Sequence, residues 1–199
     1  VFRIGAWTPD GGVQDAWLGY ISNARVVVGT AVYTGVSFAT PTAPLTTTTN
    51  TVLLTCQSNS FVDNSTNAVV ITRVADTSVQ SFNPFQRNSA ITMYFDGTGD
   101  WLLGPASPQN CLLGNFTIEL WAYAVAWSGQ MGVVTITSIT SSGSNGLAIY
   151  FDLSNKIAFW VNGNGGGTAT TTSYTPGTWY HIALVRSGST NTLYVNGIA

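Results

Sequence analysis

Hydrophobic and polar residues alternate along most of the chain, and the periodicity of an amphipathic helix is nearly absent. Short apolar stretches recur between Gly, Asn, Pro and Ser residues, a pattern typical of antiparallel β-structure. The clearest predicted strands are Gly19–Gly29, Thr51–Cys56, Ala90–Phe95, Phe116–Ala124, Gly146–Asp152, Lys156–Val161, Thr178–Arg186 and Thr192–Asn196. The pattern therefore predicts an all-β protein.

Two features refine this prediction. Within Phe116–Ala124 the residues on one face are apolar, namely Phe116, Ile118, Leu120 and Ala122. Thr178–Arg186 is apolar on both faces, as expected of a central strand between two layers. Asn196-Gly197 is a strong hairpin signal, yet only Ile198 and Ala199 follow it, so we expect a sandwich that is cut within a domain at both ends.

The composition narrows the class of function. Of the 199 residues 45% are hydrophobic, which excludes a disordered chain, and only 7% are charged, so Thr, Ser, Asn and Gly must provide solubility. The six Lys and Arg residues are scattered and the net charge is -2, so we expect no nucleic-acid binding. No apolar run has the length of a membrane span, and we expect no membrane partner.

Cysteine and histidine offer little chemistry. The two cysteines, Cys56 and Cys111, do not form a disulfide-dense scaffold, and reduced thiols are favoured over a bridge, although spacing leaves both open. The lone histidine, His181, cannot form a histidine cluster for a metal. No nucleophile motif surrounds any serine, so we expect His181 to have a structural role.

Three segments carry a resemblance to a known family. They are YFDGTGDWL (residues 94–102), NFTIELWAY (115–123) and TWYHIALVRSGSTNTLYVNG (178–197). Together, in this order, they resemble the laminin-G-like, concanavalin A-like family. The resemblance implies an antiparallel jelly-roll β-sandwich.

The resemblance also suggests how the chain is divided. Residues 1–45 resemble the closing strands and exit segment of one such unit, as in tandem modules of cyanophage tail-fibre and virion structural proteins. Residues 46–50, within the Pro/Thr-rich stretch Ala39–Asn50, are expected to be a linker. Residues 51–199 resemble the beginning and body of the next unit, truncated at its C-terminal side. We expect residues 1–45 and 51–199 to pack as one sandwich.

Some members of this fold hydrolyse glycosides, which requires two carboxylates near each other. Glu119 is the only glutamate, and its flanking same-face residues, Thr117 and Trp121, are not acids. We therefore expect no enzyme. Asp96 and Asp100 are candidate calcium ligands, the only cofactor considered, because carboxylate oxygens suit that ion. An Asp/Gly turn is the favoured alternative for these two residues.

Aromatic residues beside amides and acids are typical of sugar sites on β-sandwiches. The candidate carbohydrate-binding residues are Tyr150, Asp152, Trp160, Trp127 and Glu119. Glu119 enters this set because its strand, with Trp121, is expected to neighbour the others. The favoured alternative is that these aromatic residues fill the core or cover an interface between repeats.

The resemblance implies a non-catalytic structural or adhesive module of a phage fibre or virion surface protein. Its expected partners are other copies of the module, virion proteins and host-surface glycans, with homo-oligomers or tandem repeats multiplying weak contacts. A repeat of a secreted bacterial adhesin or extracellular filament is the first alternative. A glycoside hydrolase-like enzyme, with acids converging from distant loops, is the second.

Overall fold

The computed structural model describes residues 2–7, 15–86, 90–104, 114–137, 146–161 and 168–199. These residues form strands, turns and irregular segments, with no helix among them. Accordingly, this part of the chain has no apolar helix long enough to cross a membrane.

The strands, in chain order, are β1 (Phe2–Ile4), β2 (Ala6–Trp7), β3 (Asp15–Ala16), β4 (Leu18–Val28), β5 (Thr51–Thr55), β6 (Thr72–Val74), β7 (Ser78–Gln80), β8 (Thr92–Asp96), β9 (Trp101–Gly104), β10 (Phe116–Ala124), β11 (Met131–Thr137), β12 (Gly146–Phe151), β13 (Ile157–Val161), β14 (Thr168–Ala169), β15 (Trp179–Ser187) and β16 (Thr190–Val195). Each of the eight predicted strands is present, with ends within two residues of the predicted ones.

Most of the strands belong to two large antiparallel sheets. Sheet I has the order β14-β13-β12-β11-β1-β9-β6. Sheet II has the order β16-β15-β10-β4-β8-β7, with β5 also paired to β4, and β2 and β3 form a small separate ribbon. Side chains from both sheets meet in one hydrophobic core. The predicted all-β antiparallel sandwich is confirmed.

The core consists of the inward faces predicted by the alternating pattern. In β10 all four apolar residues of the predicted inner face are at most 1% exposed. The largest side chains buried with them include those of Trp17, Phe2, Phe95 and Phe151. Burial of this apolar surface is the main force that holds the two sheets together.

One strand that the sequence did not single out, β11, contains a glycine in its apolar run. A Cβ at Gly132 would lie 2.2 Å from the backbone nitrogen of Trp7, so any larger residue would displace that segment. The glycine that interrupts the pattern is thus required by close packing between backbones.

The N-terminal strands lie in the middle of the sandwich. Strand β1 pairs with β11 on one side and β9 on the other, in sheet I. Strand β4 pairs with β10 and β8 in sheet II. Strands β1 and β4 are therefore integral to the same sandwich as the strands that follow Thr51.

Residues 30–46, which we call the strap, cross the outer face of sheet II between β4 and β5. The rings of Tyr33 and Phe38 stack at 3.6 Å and pack over the buried residues Ala183, Val185 and Tyr194. The strap therefore covers one half of the outer face of this sheet.

The end of the Pro/Thr-rich stretch is also held against sheet II. Leu45 is 7% exposed, and its backbone N–H donates to the side-chain oxygen of Asn23 at 2.7 Å. The carbonyl oxygen of Thr46 accepts a hydrogen bond from Arg25 at 2.7 Å. The chain then turns into β5, with Val28 donating to the carbonyl oxygen of Asn50 at 3.1 Å.

Cys56 is buried and unbridged, and burial raises the pKa of its thiol to about 12. A thiol with so high a pKa is a poor nucleophile at neutral pH. Cys111 lies outside the described residues.

The central position of β1 can be tested with Ile4, which is fully buried. We expect Ile4→Ala to lower the free energy of unfolding by about 2–5 kcal/mol, because it removes core contacts and leaves a cavity. Urea denaturation measures the change. Leu153→Ala, at a site that is 79% exposed, is the control and should change stability by less than about 0.5 kcal/mol. Equal stability of the two variants would show that β1 is not part of the core.

Candidate functional site

A buried ionic cluster lies on the outer face of sheet II, under the strap. Glu119 of β10 has no exposed surface, and its Oε1 accepts a hydrogen bond from Nε of Arg25 at 2.9 Å and another from Nη2. Its Oε2 accepts from the hydroxyl of Tyr33 at 2.8 Å and lies 3.2 Å from Nε2 of His181. Both carboxylate oxygens therefore have partners.

The register of three adjacent strands brings these residues together. Glu119 of β10 lies opposite Arg25 of β4, and the neighbouring β10 residue Trp121 lies opposite His181 of β15. The β4–β10 pairing is irregular between these positions, and Asn23 there has a φ of 54°, which Asn tolerates better than most residues. The same Asn23 side chain binds the strap at Leu45.

The electrostatic surroundings keep Glu119 charged. Burial alone would raise its pKa, but the hydrogen bond from His181 and the charge and hydrogen bonds of Arg25 outweigh burial and lower the pKa. Two partly desolvated ions in contact are strongly coupled, so removal of either leaves the other without compensation. Glu119 therefore acts as an anchor within the fold.

The structure separates the residues predicted to bind sugar. Tyr150 and Trp160 lie on the outer face of sheet I, whereas Glu119 is buried in sheet II beneath the strap. The expectation that Glu119 shares one face with Tyr150 and Trp160 is therefore wrong. The reason is that β10 pairs with β4 and β15 in sheet II, whereas β12 and β13 belong to sheet I.

The remaining candidates have local structural contacts. Tyr150 is 8% exposed and stacks on Trp7 at 4.8 Å, with Trp160 packed against the same cluster. Asp152 accepts backbone hydrogen bonds from Ser154 at 2.7 Å and Lys156 at 3.0 Å, so it shapes the β12–β13 turn.

The ring of Trp127 packs at 4.9 Å against Phe151, at the edge of the core. Sugar binding by Trp160 and Asp152 stays a prediction. Trp127 is only partly exposed.

A row of aromatic rings crosses the uncovered half of the outer face of sheet II. Tyr94, Tyr20, Tyr123 and Trp179 lie opposite one another on β8, β4, β10 and β15. Their successive ring centroids are 4.9, 5.8 and 5.4 Å apart. Phe82 lies against three of these rings and is itself 44% exposed. We call these five residues the aromatic row.

Sequence reasoning did not identify the aromatic row. The alternation in Phe116–Ala124 implies that Tyr123 lies on the face opposite Phe116, but its neighbours on that face come from strands as distant in the chain as β4 and β15. A signal was present, since Tyr20, Tyr94 and Trp179 each occur within or at the edge of a predicted strand. Only the register of pairing aligns them.

Three carboxylates meet near one end of the aromatic row. Oxygens of Asp76, Asp96 and Asp100 lie within 4.8 Å of one another. Both oxygens of the buried Asp100 accept backbone hydrogen bonds, from Asp76 at 3.0 Å and from Asp96 at 2.9 Å. The predicted pair is thus close together, and Asp76 is an addition that sequence spacing could not supply.

Burial is the largest cause of a raised pKa at Asp100, and the nearby Asp76 and Asp96 carboxyls add to it, while the two backbone hydrogen bonds oppose it. The donor set is hard oxygen, which fits calcium as part of a site completed by water. The hydrogen bonds to Asp100 also fit the favoured Asp/Gly turn, in which the carboxylate organises the backbone.

Comparison with known protein families gives one result. The family described as the concanavalin A-like lectin/glucanases superfamily matches residues 96–199, which is more than half of the chain. The chain belongs to this superfamily. Searches of curated proteins and of solved structures found no match.

The superfamily match begins at Asp96, the last residue of β8, and continues past the end of β16. Strands β1 and β4 lie outside the matched residues but inside the two sheets. The concanavalin A-like fold of this chain thus includes strands from before the matched region.

The ionic cluster predicts a specific pH dependence for Glu119→Gln. At neutral pH the variant should lose about 3–5 kcal/mol of stability, since buried Arg25 loses its counter-ion. Because the folded pKa of Glu119 is lowered, its contribution is present above its ordinary pKa of about 4.3 and disappears as pH falls. The difference in free energy of unfolding between wild type and Glu119→Gln should therefore become smaller in acid.

Urea denaturation of both proteins, at a series of pH values from neutral down to below the ordinary pKa of a glutamate, measures this difference. Arg73→Gln, which changes an exposed cation, is the control and should differ from wild type by less than about 1 kcal/mol throughout. A gap for Glu119→Gln that stays constant with pH would contradict the assignment.

The aspartate cluster yields a prediction that separates its two interpretations. Asp100→Asn should lower the free energy of unfolding by about 1–3 kcal/mol, because the buried side chain keeps only one of its two acceptor oxygens for the backbone N–H groups of Asp76 and Asp96. We expect this loss with and without calcium, as measured by thermal unfolding. A rise in the wild-type Tm with calcium that disappears in Asp76→Asn would instead identify a calcium site.

Proposed function

We propose that this protein is a non-catalytic adhesive and structural module of a phage fibre or virion surface protein, and that it binds host-surface glycans through the aromatic row. The observation that carries the proposal is the row itself, four rings in register across four strands with the half-exposed Phe82 against them. Partly exposed aromatic rings offer apolar faces on which sugar rings stack, with hydroxyl groups at their edges.

The polar groups of the row support a ligand with hydroxyl groups. The indole N–H of Trp179 is buried and has no hydrogen-bond partner. Buried donors usually have partners, and an oxygen of a bound ligand is one group that satisfies such a donor. The lack of charged side chains within the row favours a neutral ligand.

The positions of the acids support a role without catalysis. Glu119 is enclosed by Arg25, Tyr33 and His181 and has no exposed surface, so it cannot reach a substrate. In the aspartate cluster, both oxygens of Asp100 are engaged by backbone N–H groups. A glycosidase needs one carboxylic acid and one carboxylate placed on either side of a bound sugar.

The phage context rests on the resemblance of residues 1–45 and 51–199 to tandem fibre modules. In such an arrangement many weak sites act together, so a shallow aromatic surface suffices. A secreted bacterial adhesin or filament repeat would use the same surface, and the neighbouring genes would distinguish the two sources.

A glycan array tests the proposal. We expect binding to at least one class of glycan, a loss of roughly tenfold in affinity for Phe82→Ala, and no release of sugar from bound oligosaccharides. Leu153→Ala, which removes an exposed apolar side chain at the β12–β13 turn of the opposite sheet, is the control and should bind as wild type does. Silence across the array would contradict adhesion to glycans and favour a purely architectural module. Hydrolysis of a bound glycan would contradict the non-catalytic assignment.

A further inference from the structure

Three neighbouring residues on the outer face of sheet II each carry a buried nitrogen that has no hydrogen-bond partner among the described residues. These atoms are Nε1 of Trp121, Nε1 of Trp179 and Nδ1 of His181. Trp121 lies opposite His181 in the pairing of β10 with β15, and Trp179 is two residues before His181 on β15. Side chains two residues apart on a strand share a face, so the three residues form one patch, which we call the nitrogen cluster.

The nitrogen cluster offers two donors and one acceptor. An indole nitrogen only donates, so Trp121 and Trp179 each provide one N–H group. Nε2 of His181 lies 3.2 Å from Oε2 of Glu119, and a carboxylate only accepts, so the neutral imidazole carries its proton on Nε2. Nδ1 of that ring is then an acceptor. The cluster is therefore complementary to hydroxyl groups, since each hydroxyl both donates and accepts.

The cluster lies at the boundary between the strap and the aromatic row. The ring of His181 has no exposed surface and is 5.7 Å from that of Phe38 in the strap. On its other side it is 5.2 Å from the ring of Trp121, at an angle of 63°. A hydroxyl group at the edges of these two rings can accept from the indole and donate to Nδ1. One hydroxyl therefore removes the cost of leaving two buried nitrogens unpaired.

Two phenylalanines lie against the indoles of the cluster. The ring of Phe82 is 5.5 Å from that of Trp179, and the ring of Phe85 is 5.8 Å from that of Trp121. The side-chain oxygen of Asn83 accepts from the backbone N–H of Phe85 at 3.0 Å, which holds the segment in a turn. Since the indole nitrogens are buried, a ligand reaches them when Phe82, the more exposed of the two phenylalanines, moves aside.

We propose that the nitrogen cluster binds two neighbouring hydroxyl groups of a neutral sugar. One hydroxyl accepts from Trp121 and donates to His181, the adjacent hydroxyl accepts from Trp179, and the sugar ring packs against Phe82. This inference rests on the proposed glycan binding at the aromatic row, to which Trp179 and Phe82 belong. It adds Trp121 and His181 as residues that determine specificity, and it names the ligand class as neutral sugars with free hydroxyl groups on adjacent carbons.

The polarity of the cluster disfavours other classes of ligand. A carboxylate or a sulfate cannot donate to Nδ1 of His181, and it would bring a second anion close to the buried Glu119. An ammonium group cannot accept from the two indoles. A site built to bond a hydroxyl group also rejects analogues that lack it, because its own buried groups are then left unpaired. A pair of hydroxyl groups satisfies all three nitrogens.

The experiment observes the indole N–H groups of the whole protein by NMR, with an NMR-active nitrogen isotope in its tryptophan side chains. The probe is the vicinal trans isomer of cyclohexanediol, which has a six-membered ring and two adjacent hydroxyl groups. At high-millimolar concentration it should move the resonances of Trp121 and Trp179 in a saturable way, and leave the other five tryptophans unchanged. The dimethyl ether of the same diol is the matched control, since it keeps the ring and both oxygens but cannot donate to His181.

Two protein variants complete the design. Trp121→Phe keeps an aromatic ring but removes one N–H group, so it should weaken binding of the diol by about tenfold. Trp101→Phe makes the same change on β9 of sheet I and should leave binding unchanged. Absence of any shift with the diol would overturn the proposal. Equal binding of the dimethyl ether, or equal binding by Trp121→Phe, would overturn it as well, because the contact would then be apolar stacking alone.

These outcomes are separate from those of the glycan array. A glycan that binds wild type and Trp121→Phe equally would leave adhesion standing and overturn the role of the nitrogen cluster. Silence across the array, together with the expected shifts for the diol, would contradict adhesion to glycans and support the cluster as a site for neighbouring hydroxyl groups.

Discussion

The carboxylate of Glu119 must be balanced where it lies, because the strap excludes water from that half of sheet II. Arg25 supplies the opposite charge from the neighbouring strand, while Tyr33 and His181 complete the hydrogen bonds. Each of these partners belongs to a different segment of the chain. The position of the strap, the register of β4 against β10 and the placement of β15 therefore all depend on one buried anion.

This constraint divides the outer face of sheet II into two parts with different properties. The covered part is ionic and closed, and its polar groups are used in holding the strap. The uncovered part is aromatic and neutral and presents Phe82 to solvent. The ion pair of Arg25 and Glu119 is thus enclosed under the strap. The exposed part of the same sheet face is left to aromatic rings, which suit weak stacking contacts.

Much of the fold was predictable because it depends on local patterns. Alternation in Phe116–Ala124 identified the inner face, and the Asn196-Gly197 turn marked the end of β16. Register between distant strands was not predictable from these patterns. Glu119 was expected beside Tyr150, but pairing of β10 with β4 places it in the opposite sheet.

The same limit explains what was missed at the candidate sites. Each of the four strand residues of the aromatic row fits the ordinary pattern of its own strand, and the row exists only after the four strands align. Asp76 likewise meets Asp96 and Asp100 through folding, across a separation of twenty residues or more in the sequence. Family resemblance predicted the architecture, whereas the contacts that define a site arise from pairings between strands far apart in the chain.

The central placement of β1 and β4 also has a consequence for the order in which the chain can fold. Phe2 pairs with Ile136, and Val27 with Thr117, so both strands have neighbours that are synthesised about a hundred residues later. Topologies dominated by such distant pairings fold slowly, because long loops must close before any contact compensates their entropy. On the ribosome, β1 can meet its partners β9 and β11 only after about a hundred further residues emerge, whereas β4 can pair first with β5. Their apolar residues are then open to premature association with other nascent chains, and a shortage of charge gives little electrostatic protection against it.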